Sequence, residues 1–263
     1  MRLDSISLFL TILPTTLLPA LSWSAPLVTI IDAGHGGRDH GAVRHNIQES
    51  DITLSVSQKL AHYLARDSRF RVSLTRTQNI TLGLSERARM AKERNADVFV
   101  SIHVNSSPDP RAKGAEFYFQ NQLPPDEESM YLAHKENAVE NGERMREVPY
   151  AFVDGRTYPA EITTILTDLL DADRILRSSQ LSKHLTLNWT GSRKRAGNSV
   201  RQAPFFVLSQ MPVPSALVEL GFLTNAHDFD LLTNSAAQDR MAHDLYKGLV
   251  RYKESIDKHT GSP

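Results

Sequence analysis

A chain of 263 residues, 40% hydrophobic and 23% charged, is long enough to bury a substantial core without covalent staples. It contains no cysteine, which excludes disulfides and a thiolate nucleophile and leaves histidine and carboxylate as the ligands for any metal. Its 30 Lys and Arg balance 30 Asp and Glu, so no net field draws it to nucleic acid or to an anionic membrane.

Residues 1–25 read as a secretory signal peptide. Arg2, offset by Asp4, precedes an apolar stretch over 6–21, and the segment Ser22-Trp23-Ser24-Ala25 follows. Pro14 and Pro19 interrupt that stretch, so a stable membrane anchor is not expected. The chain is expected to be exported, to the periplasm or beyond.

Residues 27–31 (LVTII) read as a strand buried on both faces, and the glycines of 32–37 (DAGHGG) suit a tight loop at its carboxyl end. With Ser50 as N-cap, Ile52, Val56, Leu60 and Leu64 recur every four residues and predict a helix. A strand over 71–75, a helix over 84–95 and a strand over 97–103 follow, then a strand over 114–119. From 123 to 178 there is no strand pattern, and Pro149, Gly155 and Pro159 punctuate a charged stretch that reads as two inserted helices separated by a loop. Strands over 205–208 and 215–220 come next, and Met241, Leu245, Leu249 and Tyr252 mark a closing amphipathic helix. The alternation predicts one α/β domain over 26–257, a twisted, mostly parallel six-stranded sheet with helices on both faces and a helical insertion, then a short tail over 258–263. Ligands in such sheets bind outside the carboxyl ends of the strands.

Two histidines and a carboxylate fall where that rule directs attention: His35 after the first strand, Glu49 before the first helix, and His103 at the end of the third strand. This is the ligand set of hydrolytic zinc sites, which keep an open position for water. Spacing alone leaves the structural alternative open, since no compact HExxH helix is present. Glu219 lies in the apolar run ALVELGF, where a carboxylate is costly unless paired or near a cation. A salt bridge to an arginine is its structural alternative. Asp32 is placed to orient His35, and Asn105 either touches substrate or caps a turn. The glycines around His35 form neither a GxGxxG nor a Walker pattern, which disfavours nucleotide binding.

The motifs IDAGHGGRDHGAV, ESDITLSVSQKL, SIHVN and ALVELGFLTN occur in order, with LTRT, LSERARMAKERNAD, GAEFYF and RQAPFFVL among them. Together, over about residues 28–252, they resemble the zinc-dependent N-acetylmuramoyl-L-alanine amidases of the amidase type 3 family. The resemblance implies His35, Glu49 and His103 as Zn2+ ligands and Glu219 as the catalytic carboxylate. It implies hydrolysis of the muramyl–L-alanine amide of peptidoglycan, in wall remodelling or daughter-cell separation. Lys92 departs from the asparagine usual in the second-helix motif. Within the insertion, SMYLAHKENA over 129–138 resembles a regulatory helix of some Gram-negative division amidases. There Glu136 would contact the metal until an activator of the degenerate LytM type displaced the helix; the alternative is a solvated surface helix. A zinc peptidase of related fold and a non-catalytic peptidoglycan-binding protein are the competing functions. A monomer is expected.

Overall fold

The continuous apolar runs become the centre of the sheet. In the computed structural model, which describes residues 25–121, 125–137, 160–191 and 200–259, β1 (Leu27–Ala33) lies between β4 (Phe70–Leu74) and β5 (Val98–Asn105), parallel to both. Beyond β5 come β8 (Ser215–Phe222), β6 (Glu116–Phe119) and β7 (Val200–Gln202). The β5–β8 pairing is parallel, β6 meets β8 antiparallel, and β7 runs parallel to β6. Every residue of β5 and β8 is buried, as their mostly apolar sequences lead one to expect of strands covered on both faces. A small hairpin of β2 (Val43–Arg44) and β3 (Ile47–Gln48) stands apart from this sheet.

Side chains of a strand alternate between faces, so each strand feeds two cores. One core packs Ile31, Val100, Phe117 and Val218 with apolar residues of α1 (Glu49–Ala65), α4 (Ala160–Asn188) and α7 (Ser235–His259). The other packs Ile30, Phe99, Tyr118 and Leu217 with Ala91 of α2 (Leu84–Glu93), Leu132 of α3 (Glu127–Asn137) and Leu208 of α5 (Phe206–Ser209). A short helix, α6 (Ala226–Thr233), follows β8 and is capped by the Asn225 side chain. On the second face the apolar residues give way, toward the carboxyl ends of the strands, to Asp32, Ser101, His103 and Glu219.

Four expectations need correction. Ser50 is not the N-cap of α1: the helix begins at Glu49, preceded by Gln48, and no side chain caps it. Residues 205–208 are not a strand but a helical turn, with the Leu208 and Ser209 amides bonded to the Phe205 carbonyl; the sixth strand is β7 instead. So short an apolar run does not distinguish strand from helix by its periodicity. The second inserted helix does not stop at 178 but continues through Asn188, and Leu181, Leu185 and the adjoining Trp189 are fully buried, the indole meeting Phe117 edge to face at 5.8 Å. The closing helix reaches His259, past the expected domain end at 257. The loop between the inserted helices, most of the signal sequence and the last four residues lie outside the described residues. Among those described, no helix is long and apolar enough to cross a membrane.

Leu60, fully buried where α1 covers the sheet, tests this packing. Leu60→Ala should cost about 2–5 kcal/mol. A lowered urea midpoint with unchanged slope is the expected result; an unshifted midpoint would contradict it.

Candidate metal centre and active site

The chain leaves β1 through a loop whose backbone is held from below. His35 adopts a left-handed conformation, φ +57°, and Gly34 lies so close to His103 that a Cβ there would sit 2.6 Å from the imidazole. Two buried arginines fix the carbonyls on either side. Arg76 donates to the Ala33 and Gly34 oxygens at 2.9 and 2.8 Å, and Arg87 to those of Ala33 and His35 at 2.7 and 2.8 Å. Asp32 balances Arg87 at 2.6 Å and accepts from the Thr75 and Ser101 hydroxyls. Burial works against its charge, but Arg87 and these bonds hold its carboxyl below the usual range.

Asp32 is therefore committed to Arg87 and does not orient His35. That part falls to Asp39, whose Oδ2 accepts from His35 Nδ1 at 2.7 Å and whose Oδ1 accepts from the Gly41 amide. The bond leaves His35 Nε2 directed at three other residues. Glu49 Oε1 lies 3.1 Å away and Glu136 Oε2 3.2 Å; His103 Nδ1 lies 3.2 and 3.3 Å from the same two oxygens. Glu49 is aligned by backbone: its Oε2 accepts from the Ala42 amide and its Oε1 from the Val104 amide, both at 2.8 Å. Gly41 makes room for it, since a Cβ there would stand 2.5 Å from Oε2.

All four residues are buried, and their ligand atoms lie within 4.8 Å of one another. His35 Nε2, His103 Nδ1 and Glu136 Oε2 have no hydrogen-bond partner despite their closeness. Near approach without hydrogen-bond geometry is the arrangement of ligands around a shared centre. The four imidazole–carboxylate separations, 3.1 to 3.3 Å, bring the donor atoms close enough to share one small cation. Burial opposes charge on every group, yet mutual pairing prevails: the imidazoles of His35 and His103 are pushed above their ordinary range, and the carboxyls of Glu49 and Glu136 below theirs. The cluster favours positive charge at its centre, and the donor set fits a divalent metal.

Glu219 stands next to this cluster, opposite His103 in the β5–β8 register. It is buried, and neither carboxylate oxygen has a hydrogen-bond partner among the described residues, so it is not the salt-bridged glutamate of the structural alternative. Burial raises its carboxyl well above the ordinary range; Glu136 and Glu49 add to this, while His103 opposes it.

Glu116, given no role from the sequence, lies opposite Glu219 on β6 and is fully buried. It accepts from Arg201 Nη1 at 2.7 Å, the Tyr118 hydroxyl at 3.0 Å and Asn105 Nδ2 at 3.2 Å. Asn105 also accepts from the Ser106 amide through its Oδ1, so its side chain is held between that amide and Glu116. The motifs GAEFYF and RQAPFFVL contained this pair, but nothing in either run indicates that they meet.

Helix α3 lies across the cluster. Glu136 is only 8% exposed, which removes the solvated-helix alternative. Its neighbours pin the helix: Lys135 donates to Ser106 Oγ at 2.9 Å, and Asn137 bonds the Pro204 carbonyl and the Phe206 amide. A cavity bordered by Leu82, Leu84, Phe205 and Val207 opens beside His35 and His103 under this end of α3.

Known proteins share this framework. Residues 29–251 match the family model described as N-acetylmuramoyl-L-alanine amidase. N-acetylmuramoyl-L-alanine amidase AmiA of Salmonella typhimurium is 30% identical over 232 residues, 88% of this chain and 77% of the relative. The uncharacterized protein YqiI of Bacillus subtilis is 31% identical over 96% of this chain and 98% of its own length. Among solved structures, the catalytic domain of the amidase CwlV from Bacillus (Paenibacillus) polymyxa var. colistinus superposes with a TM-score of 0.60 at 25% identity, covering 87% of this chain and 98% of that one. With the match extending over 29–251 and the fold in agreement, this chain belongs to the N-acetylmuramoyl-L-alanine amidase family.

Proposed function

We propose that this protein is a zinc-dependent amidase that hydrolyses the bond between the lactyl group of N-acetylmuramic acid and L-alanine in peptidoglycan. The observation that carries the reading is the buried group of His35, Glu49, His103 and Glu136, with its orphaned ligand atoms, beside the unpartnered Glu219. Two imidazoles in the set favour zinc over magnesium or calcium, which take oxygen ligands. His35, Glu49 and His103 would hold the ion, which when bound supplies Lewis acidity at the amide carbonyl. Asp39 and the Ala42 and Val104 amides keep the ligands aligned. Glu219 takes a proton from the attacking water onto a carboxylate oxygen and passes it to the departing alanine nitrogen, a donation that its raised pKa favours. Ser or Cys chemistry is not required.

In this reading Glu136 would take the position that water and substrate need, and its closeness to both imidazoles supports an inhibited form with α3 in place. An activator, of the degenerate LytM type, would act by binding the form with α3 displaced more tightly than the covered form. Residues 1–25 would direct export, with 26–257 as the catalytic domain acting on the wall outside the cytoplasm.

Three outcomes follow. His103→Ala should remove both zinc and turnover, whereas Glu219→Gln should keep zinc and lose about 10²–10⁴-fold in rate; a metal-free preparation with full activity would sink the mechanism. Glu136→Ala should raise hydrolysis of muramyl peptides without any partner, and equal basal rates for wild type and a folded variant would remove the case for inhibition. A reporter that works only after export, fused to residues 1–25, should become active; retention in the cytoplasm would contradict the signal reading.

A further inference from the structure

Carboxylates hold the guanidinium of Arg201 on two sides. Nη1 donates to the buried Glu116 at 2.7 Å, and Nη2 to Asp126 and Glu128 at 3.1 and 2.9 Å. The two sides differ in kind. Glu116 is fully buried and fixed by Tyr118 and Asn105, whereas the Asp126 and Glu128 side chains, at the start of α3, are 55% and 51% exposed. The sheet therefore aligns the guanidinium through Nη1, and among the described residues its Nη2 edge is covered by α3.

A guanidinium preoriented by a buried carboxylate is a strong receptor for another carboxylate. Its place in the sheet sets its distance from the chemistry. Arg201 lies opposite Tyr118 on β7, on the face that carries Glu116, and Glu116 lies opposite Glu219. Two strand spacings of ~4.8 Å separate the Arg201 backbone from that of Leu217, and Glu219 lies two residues further along β8, about 6.6 Å. Helix α3 spans the same interval: Glu128 binds Arg201, and Glu136, eight residues on and about 12 Å along the helix, enters the metal cluster.

We propose that the Nη2 edge of Arg201 is a carboxylate-binding subsite for the acidic stem peptide, filled in this structure by Asp126 and Glu128 as stand-ins. The proposal rests on the amidase reading, in which the peptide runs from the scissile amide through L-alanine to an acidic residue. That residue's α-carboxylate, free or amidated, is the group assigned to the Nη2 edge of Arg201. Helix α3 thus covers two positions together, the reacting centre through Glu136 and the specificity subsite through its first turn.

The test uses the zinc-loaded full chain carrying Glu136→Ala, which relieves the inhibition, together with Asp126→Asn and Glu128→Gln, which uncover Arg201 without removing it. The probes are two soluble muramyl peptides, identical except that the second residue carries a free α-carboxylate or its carboxamide. The free acid should show a KM about 10-fold below that of the amide, the size of a charge-assisted contact. Adding Arg201→Gln should bring the ratio of KM values to about one, and Arg201→Lys, which keeps the charge but not the fork, to an intermediate value. A ratio near one with Arg201 intact, or a ratio that Arg201→Gln leaves unchanged, would overturn the subsite. Should the Gln variant not fold, a Lys variant with the parent's ratio would overturn it equally. Hydrolysis of neither peptide by any variant would instead overturn the amidase reading, and the subsite with it.

Discussion

Three carboxyl groups, Glu49, Glu136 and Glu219, are buried around two imidazoles at the carboxyl end of the sheet, and this concentration of charge constrains what surrounds it. An ionised carboxylate removed from water is costly unless hydrogen bonds or a cation compensate. Glu49 has two backbone amides; Glu136 has the imidazoles; Glu219 has neither, and burial raises its carboxyl above the ordinary range. The outlying elements hold this balance in place. Arg76 and Arg87 lock the carbonyls of the His35 loop, Asp32 offsets the charge of Arg87, and Gly34 and Gly41 admit side chains that a Cβ would block.

Most of the scaffold was legible in the sequence because burial on both faces writes itself as unbroken apolar runs. β1, β5 and β8 read directly in this way, and the four-residue repeat of Ile52, Val56, Leu60 and Leu64 gave α1. The strand-end positions of His35 and His103 followed, since the sheet class directs ligands there. What stayed hidden depends on conformation. From the sequence Asp32 is the expected partner of His35, and the left-handed turn at His35 together with the claim of Arg87 on Asp32 gives that place to Asp39. Glu116 and Arg201 are 85 positions apart, and only the pairing of β6 with β7 brings them together.

The two ends of α3 are anchored by different physics. Glu136 is bound within a buried cluster, where solvent ions screen little, whereas Asp126 and Glu128 contact Arg201 from an exposed turn, where they screen much. The exposed end of α3 is thus the more salt-sensitive of its two anchors.

Strand order carries a consequence for assembly. β8 is the last strand in the sequence but lies inside the sheet, between β5 and β6. A chain still short of residue 215 leaves the inner edges of β5 and β6 without their neighbour and brings no Glu219 to His103. Contacts of such wide sequence separation form slowly and late. A chain that stops before residue 215 therefore presents its histidines without the carboxylate that stands opposite them, and the order of the strands delays that meeting until β8 has been made.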